Sequence, residues 1–221
     1  MPGLNVESRF ARGLTRRRFM GSSLAMAALA ATGAAAGSVT GTQPAWALPE
    51  LDHSSVVEVG GYFSQDWFLD SFLELSDDLS EATGNGKRLA IIWEQKGCPY
   101  CRETHMVNFS IPAVRDWISE RFDIIQLDIW GAREVMDFDG QVMEERALAR
   151  KSRVTFTPTI QFFSESGFSE VARMPGYFKP FHFLSMFEYV HEKAHTETDF
   201  QRYLQDKFSR LQARGEDAEV W

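Results

Sequence analysis

Only two of the 221 residues are cysteine, Cys98 and Cys101. That scarcity argues against a scaffold stapled by disulfides, which needs a far higher density of cysteine. Basic residues are also in deficit, with 23 Lys and Arg against 31 Asp and Glu and a net charge of −8. A nucleic-acid partner is disfavoured on this ground, because phosphate binding needs a concentrated basic surface. A convincing membrane span is missing too. The weakly hydrophobic stretch from Ser22 to Ser38 is alanine-rich and interrupted by Gly33 and Gly37, too short and too small in its side chains to cross a bilayer.

What is present at the N-terminus has the pattern of an export signal. Thr15-Arg16-Arg17-Arg18-Phe19-Met20 places adjacent arginines before one variable residue and a large apolar pair, and Ala45-Trp46-Ala47 supplies a small-x-small cleavage site. Residues 1–47 are therefore expected to be a twin-arginine signal peptide, with a basic tail or an uncleaved membrane anchor as the alternatives. Without them, 18 basic and 30 acidic residues remain, a net charge near −12. Residues 48–221 fit one domain, large enough to hold a core without structural disulfides.

Hydrophobic periodicity lays out that domain. An extended start at 54–59 is followed by Phe68, Phe72, Leu75 and Leu79, whose spacing predicts a helix capped by Ser64 and closed by Thr83-Gly84-Asn85-Gly86. Leu89 to Trp93 is apolar throughout, as in a central strand covered on both faces. A helix is expected from the cysteines to about Asn108, and a further turn from Pro112 with Val114, Trp117 and Ile118 inward. Residues 123–130 read as a strand. Residues 131–140 read as a polar insertion in which Asp137, Asp139 and Gly140 form a solvated turn, since the spacing to a closing glutamate does not fit a calcium loop. A helix over 144–153 and strands over 154–163 and 170–173 come next. Two C-terminal helical runs use Phe183, Leu184, Phe187, Val190 and Ala194, then Phe200, Tyr203, Leu204, Phe208 and Leu211. Alternation of this kind with short connections predicts an α/β fold, a central mixed sheet flanked by helices.

With no other thiol in the chain, Cys98 and Cys101 must pair with each other, bind a metal together or stay reduced. The order of strand, short turn and Cys-x-x-Cys at a helix start is the layout of a thioredoxin-type redox site. Pro99 suits the first helical position, which puts Cys98 at the N-cap, where unpaired N–H groups and the helix dipole favour thiolate. Cys98 is thus the expected nucleophile, with Lys96 adding a nearby positive charge. Cys101, one turn deeper, is the group that attacks a mixed disulfide on Cys98. A Thr157-Pro158 step among apolar strand residues suits a cis peptide beside the sulfurs, whose backbone would receive a substrate strand. Tyr100 is a candidate for shaping that surface, and Trp93 for the core. Glu94 and His105 are candidate proton-transfer groups, His105 lying on the face of Cys101.

The strings Trp93-Glu94-Gln95-Lys96-Gly97-Cys98-Pro99-Tyr100-Cys101, His105, Val107-Asn108-Phe109, Asp128-Ile129-Trp130-Gly131, Asp137-Phe138-Asp139-Gly140 and Phe156-Thr157-Pro158-Thr159 resemble the exported thioredoxin-like proteins of bacterial sulfur-oxidation systems, the SoxW type. The resemblance covers most of residues 55–195. It implies a thioredoxin fold with a C-terminal helical extension, and a periplasmic dithiol protein with no cofactor beyond its cysteines. Electrons would come from a membrane carrier of the CcdA or DsbD kind. They would pass to disulfides or persulfides on sulfur-oxidation or cytochrome c maturation proteins. Two features depart from the thioredoxin pattern. Pro99-Tyr100 is the dipeptide typical of glutaredoxins, and Ile92 stands where thioredoxin keeps a buried Asp. A disulfide oxidase or isomerase is the alternative within enzymes. A copper or zinc module using Cys98, Cys101 and His105 is the alternative outside them.

Overall fold

The computed structural model describes residues 49–165 and 168–215. The described residues belong to one compact unit. The expected signal peptide lies outside the described residues. Among those that are described, no helix is long and apolar enough to cross a membrane.

A short antiparallel hairpin, β1 (Val56–Val59) and β2 (Tyr62–Gln65), opens the domain. Helix α1 (Leu75–Gly84) leads to β3 (Arg88–Glu94), the fully buried strand that the apolar run predicts. After β3 come α2 (Pro99–Glu103), which continues through a π-helical turn (Thr104–Asn108), then α3 (Pro112–Ser119) and β4 (Phe122–Asp128). A second hairpin, β5 (Glu134–Met136) and β6 (Val142–Glu144), precedes α4 (Glu145–Lys151), β7 (Thr159–Phe163) and β8 (Glu170–Pro175). Helix α5 (Pro180–His191), a 3₁₀ turn (Ala194–Thr196) and α6 (Phe200–Ala213) complete the described chain.

The main sheet has the order β4-β3-β7-β8, with β3 and β4 parallel and the other pairs antiparallel. Its mixed character and flanking helices are those the sequence predicts. Because side chains alternate along a strand, Ala90 and Ile92 join the core under α3 and α5, while Leu89, Ile91 and Trp93 join the core under α1 and α4. Apolar residues on both faces explain why β3 shows no alternation in sequence.

The structure corrects three expectations. The helix expected from Ser64 begins only at Leu75, and Ser64 lies in β2. Phe68 packs with the core under α5, whereas Leu75 and Leu79 belong to the opposite core. One helix face cannot serve both, so the segment wraps the β4 edge, where the Leu69 N–H donates to the Ile124 carbonyl at 2.9 Å. The wrap ends at Leu73, held at φ 63° with its N–H on the Ser71 hydroxyl. Residues 131–140 are solvated only in part, with Asp139 and Gly140 exposed in the expected turn. They hold β5, with Val135 wholly buried, and Asp137 is buried as well. The strand expected over 154–163 starts at Thr159, after Arg153 takes φ 55°.

Candidate active site

Strand β3 delivers the chain to the turn Gln95-Lys96-Gly97, where Gly97 takes φ 70°. The Gly97 N–H donates to the Gly61 carbonyl at 3.0 Å, so the tip of the first hairpin backs the turn. Gly61 is required there: a Cβ on it would lie 3.1 Å from Cε of Lys96, whose stem crosses the glycine at φ 88°. Cys98 follows as the N-cap of α2, with extended backbone and Pro99 as the first helical residue. The local sequence dictates this, since proline lacks the N–H that the first turn leaves unpaired anyway.

Cys98 and Cys101 are joined by a disulfide with Cα atoms 5.2 Å apart. The Cys98 sulfur accepts from the Cys101 N–H at 3.1 Å and from the Thr157 hydroxyl at 3.3 Å, and the Thr157 carbonyl lies 3.7 Å away. The Thr157–Pro158 peptide is cis. Two donors converge on one sulfur. Both favour a thiolate there once the disulfide opens. The sulfur of Cys101 is the more deeply set of the two.

Glu94 and His105 come together beneath the turn, both fully buried. The Ser55 hydroxyl donates to Gln65 Oε1 at 2.7 Å, which turns the Gln65 amide nitrogen toward His105 Nδ1 at 3.1 Å. Nδ1 therefore accepts, Nε2 carries the proton, and Nε2 donates to Glu94 Oε1 at 3.0 Å. The second Glu94 oxygen accepts from the Gln126 amide. Phe68 and Phe109 pack around the imidazole. Glu94 also lines a cavity of about 540 Å³ together with Tyr62, Gln126, Asp128 and Arg133. Tyr62 donates to Asp128 at 2.7 Å, and that bond, with burial, pushes its hydroxyl up to about 12.

In this disulfide form the residues of the metal reading are otherwise engaged. Both His105 nitrogens are engaged and both cysteines are bonded to each other. Among the described residues no group of three His, Cys, Asp or Glu side chains is placed to hold an ion.

The surface around Cys98 is aromatic. Tyr100 is 61% exposed and stacks on Tyr177, whose hydroxyl is raised first by burial and then by the charge of Glu103. Phe156, next to Thr157, is 52% exposed. Trp93, by contrast, is core, with its indole N–H on Gln161. Sequence reasoning missed Gln65, Ser55, Gln126 and Tyr177. They reach the site through pairing of distant strands and loops, and nothing in their local spacing marks them.

A family model described as a thioredoxin-like domain matches residues 75–191. No curated protein matches the chain. Among solved structures, a thioredoxin-fold protein from Helicobacter pylori aligns with a TM-score of 0.50 at 21% identity, over 57% of this chain and 86% of that one. A thioredoxin from Thermus thermophilus aligns with a TM-score of 0.41 at 24% identity, over 53% and 83% of the two chains. The oxidised C-terminal domain of Neisseria meningitidis DsbD gives 0.40 at 18% identity, over 52% and 90%.

Proposed function

Because the chain belongs to the thioredoxin-like family and carries a bonded Cys98–Cys101 pair on a thioredoxin fold, we propose that this thiol–disulfide oxidoreductase works as a reductant in the periplasm. The observation that carries the exchange chemistry is the Cys98 sulfur at a helix N-cap with the Cys101 N–H and the Thr157 hydroxyl aimed at it; the reducing direction rests on the SoxW-type resemblance.

In the reduced protein, the Cys98 thiolate attacks one sulfur of a substrate disulfide. The substrate S–S bond breaks, its first sulfur leaves as thiolate and takes a proton, and Cys98 holds the second in a mixed disulfide. Cys101 then gives up its proton and attacks the Cys98 sulfur, releasing the second substrate thiol. Two electrons and two protons have reached the substrate, and Cys98 and Cys101 end as the disulfide. The Glu94–His105 pair is the proton acceptor for Cys101 in this scheme, taking the part for which Ile92 has no group. Thr157, Pro158, Pro99 and Tyr100 form the surface that receives the substrate.

A membrane thiol carrier of the CcdA or DsbD kind returns the two electrons. The recipients are disulfides or persulfides on sulfur-oxidation or cytochrome c maturation proteins, as the SoxW-type resemblance implies. Export follows the twin-arginine route, and replacing Arg16 and Arg17 by lysine is expected to abolish it. The Cys101→Ser variant, which cannot release the mixed disulfide, should trap the partner covalently. Recovery of no disulfide-linked partner from the cell envelope would count against the proposal.

One observation favours the oxidase reading. The donors on Cys98 stabilise the thiolate, hence the reduced form, and that makes the pair a stronger oxidant.

A further inference from the structure

Trp130 is 68% exposed, yet it is held in place. Its backbone N–H donates to Asp128 Oδ1 at 2.9 Å, and its indole N–H donates to Gln95 Oε1 at 2.7 Å. The carbonyl of Gln95 in turn accepts from the Cys98 N–H at 3.3 Å. Two hydrogen bonds through one residue thus connect the indole to the nucleophile's backbone. Tyr100, two residues beyond Cys98 in α2, and Phe156, next to the Thr157 whose hydroxyl donates to the Cys98 sulfur, are also exposed. Three separate segments that meet at Cys98 each present an aromatic ring to solvent.

Holding an indole in water gains the fold little. A surface hydrogen bond contributes little net stability, and the ring forgoes the burial that gives tryptophan its usual value. The same arrangement suits binding. A large side chain fixed before the partner arrives avoids the ordering cost at association, and tryptophan is prominent among residues that dominate interfaces.

We infer that Trp130, positioned by Gln95, is a specificity-determining contact for an extended polypeptide segment that carries an apolar side chain beside its cysteine. The inference rests on the proposed exchange at Cys98 and adds the substrate class. Small disulfides, which have no flanking side chains, do not use the contact.

The test measures second-order rates of the dithiothreitol-reduced protein, freed of reductant, with three probes. Two are synthetic peptides bearing a mixed disulfide on a cysteine flanked by leucine or by serine. The third is bis(2-hydroxyethyl) disulfide. Trp130→Ala is expected to slow the leucine peptide roughly tenfold and leave the other two probes unchanged. Trp130→Phe, which keeps a ring without the N–H, and Gln95→Ala should each give a smaller loss. Combining those two should be no worse than either, since they remove the same bond. Equal rates for wild type and Trp130→Ala on the leucine peptide, or equal slowing of all three probes, would overturn the contact. Should Trp130→Ala fold poorly, the Trp130→Phe and Gln95→Ala pair decides by the same ratio. A wild-type protein that reacts with no probe would instead refute the exchange chemistry itself.

Discussion

Cys98 owes its expected reactivity to two donors that the backbone and one loop supply. The Cys101 N–H is fixed by the helix start, whereas the Thr157 hydroxyl is a side chain that substitution can remove. Thr157→Val in the reduced protein should therefore raise the Cys98 thiol, because one of the two hydrogen bonds to its charged sulfur is lost. Thiolate absorbance against pH reads this directly, and an unchanged titration would remove the hydroxyl from the account. In the wild type, alkylation at mildly acidic pH should label Cys98 before Cys101. The Cys98 N-cap, the pairing of Cys98 with Cys101 and the cis peptide were legible because each rests on a local pattern. The network under them was not. Gln65 and Ser55 reach His105 only through the first hairpin, so neither has a sequence neighbour in the motif to betray its role.

Elements in this protein are tied down by buried carboxylates at their ends. Glu145, the first residue of α4, accepts from the Asp128 N–H at 3.0 Å and from the Arg133 guanidinium at 2.6 Å, joining the end of β4 to the second hairpin. Gly131 makes room for it: a Cβ there would stand 1.9 Å from Glu145 Oε2. Gly131→Ala should cost about 2–4 kcal/mol in denaturant unfolding, the range for steric and buried-polar damage. The loss in Gly131→Ala/Glu145→Ala should be smaller than the sum of the single losses, since the clash partner is gone.

Asp137 closes the hairpin, accepting from the N–H groups of Asp139 and Gln141 and from Lys151. Burial opposes its charge, but the Lys151 ammonium and those two N–H groups outweigh it, and its carboxyl lies below the usual 3.8. A lowered folded value means the stabilisation is complete above the usual carboxylate range and is lost as pH falls through the folded value. Asp137→Asn should thus unfold about 2 kcal/mol more easily at neutral pH, with the gap closing toward strongly acidic pH. A gap independent of pH would contradict the ion pair. Helical spacing misled at 64–74 because two opposite cores share one apolar series. Asp-x-Asp-Gly concealed a buried carboxylate because composition alone does not report where Lys151 will fold back.

At the scale of the whole molecule, a four-stranded mixed sheet carries one core on each face and leaves its chemistry at the turn after β3. The free edge of β4 is occupied by substitutes for a neighbouring strand: the Leu69 N–H on the Ile124 carbonyl, the Arg133 guanidinium on the Gln126 carbonyl, and Glu145 on the Asp128 N–H. Such cover blunts edge-to-edge association at β4. The layer architecture was legible in the alternation of strands and helices. The edge cover was not, since it depends on where the segments before α1 and after β4 wrap. For the proposed reductant, the driving force must come from outside, because an oxidising compartment would otherwise hold Cys98 and Cys101 as the disulfide. Reductant and oxidant are separated most sharply by the equilibrium potential of this pair against defined glutathione buffers. A reductant requires a value of roughly −200 to −270 mV, between glutaredoxin and thioredoxin, whereas a value near roughly −120 mV, that of a strong oxidant, would refute it.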